Sequence, residues 1–195
     1  MRGFTFLPGR LAGVCSVLPF YAGDCRGYFL KGYERDEFLK AGIDLWVQES
    51  FETFSANGVL RGLHFQRKAP QAKLVRVLQG TVFDVAVDLR RDSATFGQWE
   101  GYFLDDREHR ALYIPPGFAH GFLVVSESAR VNYQCAGAYR ADSDAGIVWN
   151  DPEVGVAWPL HLVKEVILSP RDQGLPGLRE CVRMQGLPEE ERDVL

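Results

Sequence analysis

Lys73-Leu74-Val75-Arg76-Val77-Leu78-Gln79-Gly80-Thr81-Val82-Phe83-Asp84-Val85-Ala86-Val87-Asp88-Leu89 decides the fold class. Two mainly apolar runs flank Gln79-Gly80, and glycine readily takes the backbone angles of a tight turn. The spacing predicts strands over Lys73–Leu78 and Thr81–Leu89. In the second run Phe83, Val85, Val87 and Leu89 share one face, and Val82, Asp84, Ala86 and Asp88 share the other. That period of two marks a β-strand.

Working outward, the pattern is mostly β from about residue 43 to residue 149. Val47 to Phe54 mixes apolar and polar residues, Ala56-Asn57-Gly58 offers a turn, and Val59 to Phe65 resumes. Further strands are expected at Trp99–Leu104, Ala111–Ile114, Gly121–Val125 and Ala129–Cys135. Many short strands separated by turns predict an all-β antiparallel sandwich or barrel. Short helices are expected at Glu34–Ala41, stopped by Gly42, and after Pro188, where Glu189-Glu190-Glu191 suits a first turn. The segment after Pro170 reads as loop and tail.

The 195 residues fit one domain, 1–195, with a C-terminal tail after about 173. Apolar residues at 46% and charged residues at 25% are the balance of a globular chain. The net charge of −4 and the lack of a basic block argue against nucleic-acid binding, which needs cations to displace counterions. No apolar run is long enough for a membrane span. Arg2 and the apolar stretch to Ala22 imitate a secretory leader, but Pro8, Gly9, Arg10 and Pro19 interrupt it. The expected location is cytoplasmic. Cys15, Cys25, Cys135 and Cys181 are scattered and read as free thiols.

Of the four histidines, His64 and His120 lie in unusual settings. In a regular strand Gly62 and His64 would point the same way, leaving room for a ligand beside the imidazole, with Arg61 and Leu63 opposite. His120 sits in Pro115-Pro116-Gly117-Phe118-Ala119-His120-Gly121, a turn feeding an apolar strand. Asp84 and Lys73, charges in apolar strands, face either solvent or a barrel cavity. Tyr133 serves as an acid, a stacking surface or plain core. A barrel-type metal site would want a second histidine where Gln66 stands, so no metal is expected and a metal-dependent oxygenase is the disfavoured alternative. No GxGxxG, P-loop or nucleophile elbow is present.

Taken together, these segments resemble the dTDP-4-dehydrorhamnose 3,5-epimerases, metal-free members of the cupin superfamily. The blocks are Asp24-Cys25-Arg26-Gly27-Tyr28-Phe29, Gly58 to Gln66, Lys73 to Arg76, Val82 to Asp88, Ile114 to Phe122, Gly146 to Pro152 and Leu168 to Asp172. They span residues 24–172, about three-quarters of the chain. The resemblance implies a cupin-type antiparallel jelly-roll barrel with a few short peripheral helices, a homodimer, and a dTDP-linked nucleotide-sugar substrate. It implies no cofactor. The implied activity is inversion of C3 and C5 of dTDP-4-dehydro-6-deoxy-D-glucose, giving dTDP-4-dehydro-L-rhamnose. A single-site epimerase of a related 4-keto sugar is the near alternative.

The resemblance also implies residue roles. His64 matches the catalytic base, Asp172 its orienting carboxylate, Tyr133 the acid on the opposite sugar face, and Lys73 the group at the C4 carbonyl oxygen. Arg61 and His120 match phosphate and pocket positions, and Asp84 a supporting carboxylate. Arg26, Phe29, Gln48, Tyr139, Asp144 and Arg171 match nucleotide-side or pocket positions, with Phe29 and Tyr139 as base-stacking aromatics. The chemistry suits these types. Protons on C3 and C5 are α to the ketone, so a histidine base, a fixed cation for the enolate oxygen and an opposing acid suffice. Lys31 and Gln48-Glu49-Ser50 depart from the family's usual glutamate and Gln-Asp-Asn on the nucleotide side.

Overall fold

Gly80 has φ +80°, and a Cβ there would lie 2.0 Å from the Ser128 carbonyl oxygen, so the expected turn requires glycine. It joins β7 (Ala72–Gln79) to β8 (Thr81–Asp88), which belong to different sheets. The turn is therefore a corner between layers rather than a hairpin. The computed structural model describes residues 1–184 and 187–188.

Upstream lie β1 (Thr5–Pro8), β2 (Cys15–Leu18), β3 (Phe20–Asp24), β4 (Gly27–Lys31), α1 (Arg35–Lys40), β5 (Val47–Ala56) and β6 (Leu60–Gln66). Downstream lie β9 (Trp99–Asp105), β10 (Ala111–Ile114), β11 (Phe118–Val124), β12 (Ser128–Ala136), β13 (Asp144–Gly146), α2 (Pro170–Gln173) and α3 (Leu178–Met184). One sheet runs β1-β2-β10-β7-β12-β5 and the other β13-β6-β11-β8-β9, with β3-β4 as a separate ribbon. All ladder pairings are antiparallel, so the architecture is the expected jelly roll with short peripheral helices.

The alternation in β8 divides the core as expected. Val82 and Ala86 pack between the sheets with Val75, Val77, Phe122 and Val131. Phe83, Val85 and Val87 face outward under Ile147, Trp158 and Leu178. A third cluster, with Phe38 of α1, Leu45 and Leu74, covers the outer face of the six-stranded sheet.

Two expectations change. The strands begin near the N-terminus rather than at residue 43, because β1 and β2 are only four residues each and Pro8, Gly9 and Pro19 obscure their pattern. The segment after Pro170 is not loop and tail. Ser169 caps α2 by accepting from the Asp172 amide, with Pro170 in the first turn, and Leu178 and Cys181 of α3 are buried. The expected helix at Glu189–Glu191 lies outside the described residues. Cys15, Cys25 and Cys135 are free thiols, and no helix among the described residues is long and apolar enough to cross a membrane.

Candidate active site

β6 and β11 pair with His64 opposite His120 and Arg61 opposite Phe122. Three steps on β6 match two on β11, which is a β-bulge. It brings Arg61 and His64 to the same cavity and sends Leu63 to the outer core. The regular alternation expected for this strand therefore fails. Gly62 has φ +124°, and a Cβ there would lie 2.6 Å from Gly121 Cα and 2.8 Å from the His120 carbonyl oxygen. Gly62 makes room for the neighbouring strand, not for a ligand.

The cavity measures about 430 Å³ and opens between the sheets. His64, Lys73, Arg61, His120, Tyr133, Tyr139, Asp144 and Arg171 all line it. Behind His64, Nε2 lies 2.6 Å from Asp172 Oδ1. Burial alone would raise the Asp172 carboxyl. The hydrogen bond and charge of His64, the Ser169 hydroxyl and Arg171 outweigh it and hold the group below the usual carboxylate value. An ionised carboxylate only accepts, so Nε2 carries the proton and the Nδ1 lone pair is the basic one. Behind His120, Nε2 lies 2.9 Å from both carboxylate oxygens of Asp84, which is fully buried. Asp84 thus faces the interior, not solvent.

Tyr133 is 7% exposed. Burial pushes its phenol well above 10, Asp84 adds to the shift, and Arg61 opposes it. The phenol is therefore protonated at neutral pH. Burial pulls Lys73 below the ordinary lysine value, against the attraction of Cys135, Asp144 and Asp84. At the rim, Arg171 bridges to Asp144 at 2.7 Å and the Tyr139 hydroxyl donates to Asp144 at 3.1 Å. The Arg61 guanidinium donates to Ser55 Oγ at 3.0 Å.

Five expected site residues do not line this cavity: Asp172 and Asp84 stand behind His64 and His120, and the other three lie away from it. Arg26 pairs with Asp24 at the tip of the β3-β4 ribbon, Phe29 is exposed on β4, and Gln48 is exposed on β5. Residues to which the sequence reading gave no site role also line the cavity: Glu49, Phe51, Thr53, Gln71 and Cys135 among them. A signal for the first three exists in the alternation of β5, whose inward series is Glu49, Phe51, Thr53.

Gln66, the residue in the position a metal site would give to histidine, spends its amide on backbone. It donates to the Ala69 and Ala138 carbonyls and accepts from the Arg140 amide. Among the described residues, no cluster of three or more His, Cys, Asp or Glu side chains is placed to hold a metal.

The chain matches the family model for dTDP-4-dehydrorhamnose 3,5-epimerase over residues 8–180. It is 45% identical over 180 residues to the dTDP-4-dehydrorhamnose 3,5-epimerase of Methanothermobacter thermautotrophicus, covering 92% of this chain and 97% of that one. It is 41% identical over 168 residues to the dTDP-4-dehydrorhamnose 3-epimerase of Streptomyces niveus, covering 85% and 80%. Among solved structures, the Legionella pneumophila dTDP-6-deoxy-D-glucose-3,5-epimerase in complex with dTDP-4-keto-L-rhamnose superposes with a TM-score of 0.91 at 37% identity. That match covers 97% of this chain and 100% of that one. The histidine–aspartate pair, the buried phenol and the jelly-roll cavity thus sit in a sequence of known kind: the chain is an epimerase of the isomerase class and belongs to the dTDP-4-dehydrorhamnose 3,5-epimerase family.

Proposed function

We propose that the protein inverts C3 and C5 of dTDP-4-dehydro-6-deoxy-D-glucose to give dTDP-4-dehydro-L-rhamnose. The observation that carries this reading is the convergence of the His64–Asp172 pair, Lys73 and Tyr133 on one cavity. His64 removes a proton α to the C4 ketone, and Asp172 stabilises the resulting imidazolium. The Lys73 ammonium holds the negative charge that grows on O4. Tyr133 returns a proton from the opposite face, which inverts the carbon. Arg61 faces the phosphates, with His120 and its partner Asp84 shaping the sugar pocket. Tyr139, Asp144 and Arg171 form the nucleotide side. The proton returns to carbon, so the reaction needs no redox cofactor.

The working form is a single-domain chain assembled as a cytoplasmic homodimer. β5 is a ten-residue strand at a sheet edge with Phe54 exposed on its outer face, and a second chain would cover that edge. Arg26 and Phe29, on the projecting ribbon, would then act in the partner's cavity, with Gln48 beside that interface. Light scattering on the purified chain tests the assembly.

The reaction is tested by NMR of the 4-keto sugar nucleotide in D₂O. Deuterium entering at both C3 and C5, with L-configured product, supports the reading. No exchange at either carbon overturns it. Exchange and inversion at C3 alone would match the second reading, a single-site epimerase, which the similarity to the Streptomyces niveus 3-epimerase favours.

A further inference from the structure

Tyr133 has no hydrogen bond to its hydroxyl among the described residues, so a polar partner does not set its direction. Within the core cluster that holds Tyr133 with Val75, Phe122 and Cys135, two other rings pack against its ring. Phe51 lies directly opposite on β5 in the ladder register, its ring nearly parallel at 11° and 4.8 Å between centroids. His120 meets Tyr133 edge-on at 72° and 5.7 Å. His120 is itself held by both oxygens of Asp84. One wall of the slot is therefore rigid, and the other is Phe51. The inward series on β5 is Glu49, Phe51, Thr53 and Ser55, so Phe51 is the one apolar side chain in it. An aromatic ring in that series does two things that a polar residue would not. It offers a stacking face, which favours offset-parallel rings. It also keeps water from that face of the phenol.

We propose that Phe51 is a positioning residue for proton return, fixing the orientation of the Tyr133 phenol and shielding it from water. This rests on the reading of Tyr133 as the acid. Proton removal by His64 and enolate retention by Lys73 do not pass through Phe51, so its loss should separate the two halves of the reaction. Phe51 belongs to none of the three core clusters, so its substitution leaves the barrel core intact.

The test compares Phe51→Ala, Phe51→Tyr and Tyr133→Phe on dTDP-4-dehydro-6-deoxy-D-glucose in D₂O, measuring deuterium entry and inversion on the same sample. A misplaced reacting group costs rate steeply, so in Phe51→Ala the ratio of exchange to inversion should rise about tenfold. Phe51→Tyr keeps the stack and should restore the ratio. If Phe51→Ala proves unstable to heat, Phe51→Leu, apolar but without a ring, poses the same question. An unchanged ratio in the ring-less variants, while Tyr133→Phe splits exchange from inversion, overturns the role of Phe51 and leaves the acid in place. Full inversion in Tyr133→Phe removes the acid reading itself, and Phe51 with it.

Discussion

His64 and Asp172 are 108 residues apart in sequence and 2.6 Å apart in space. The barrel brings His64 in on β6, and the one-turn helix α2 brings Asp172 over it. Ser169 fixes α2 by accepting the Asp172 amide at 3.0 Å, so the carboxylate stands on a capped turn rather than on a free loop. The hydroxyl that caps the turn also helps keep the carboxyl ionised.

That pairing predicts unequal effects. His64→Ala should abolish deuterium exchange at both C3 and C5, because no other side chain in the cavity replaces the base. Asp172→Ala leaves the imidazole present but unoriented, and should lower exchange by about 10²–10⁴-fold. Near-normal exchange in a folded His64→Ala protein would remove His64 from the mechanism.

Lys73 predicts a pH limb. Burial lowers its pKa from the ordinary 10.5, so the ammonium loses its proton at a lower pH than an exposed lysine would. As pH rises through that value the cation at O4 disappears, and exchange should fall on an alkaline limb that begins below 10.5. Lys73→Met should lower exchange by about 10²–10³-fold and erase the limb. A limb that persists unchanged in Lys73→Met belongs to another group.

Chelation should leave activity intact. The Gln66 amide is committed to the backbone of residues 69, 138 and 140, and His64 and His120 are each committed to a carboxylate. Activity after exhaustive EDTA treatment should match the untreated protein within error. A large loss restored by a divalent ion would shift the reading to a metal-dependent cupin.

Much of this was legible in the sequence, and the exceptions have physical causes. The two faces of β8 followed from its period of two, since every residue from Val82 to Asp88 is buried and the faces differ only in what covers them. His64 and Lys73 stand inside the quoted blocks, Tyr133 and the rim residues Tyr139 and Asp144 came from the resemblance alone, and all of them line the cavity. The β6 bulge was not, because an extra residue on one strand shows only against its partner. Four-residue α2 was not, because one turn carries no period. The lining role of Phe51 was missed because β5 lies at an edge and mixes exposed and cavity-facing side chains.

Acid stability should depend on Asp88. Burial would raise its carboxyl, but hydrogen bonds from Arg90, Ser93 and Thr95 hold it at about 2. The folded pKa lies below the unfolded one, so between them the unfolded chain binds more protons and stability rises with pH. The contribution is complete above about 4 and is lost as pH falls toward 2. It amounts to about 2 kcal/mol at neutral pH. Asp88→Asn should lower stability by about that amount at pH 7 and flatten the loss between pH 4 and 2, read by urea unfolding at each pH. Parallel curves for the two proteins across that range would mean that Asp88 carries no such linkage.

Tyr133→Phe should separate proton removal from inversion. The substitution keeps the ring between Phe51 and His120 and removes only the hydroxyl. His64 and Lys73 can still form and hold the enolate, so deuterium should continue to enter. The opposite face loses its protein donor, and general acids contribute about 10²–10⁴-fold, so L-configured product should fall by that order. A purely structural tyrosine would behave otherwise. Its hydroxyl has no hydrogen-bond partner among the described residues, so its loss would alter stability by on the order of 1 kcal/mol or less and slow both processes equally. The two rates measured together decide the matter. An unchanged ratio of exchange to inversion would take Tyr133 out of the reaction and leave water or another cavity group as the donor.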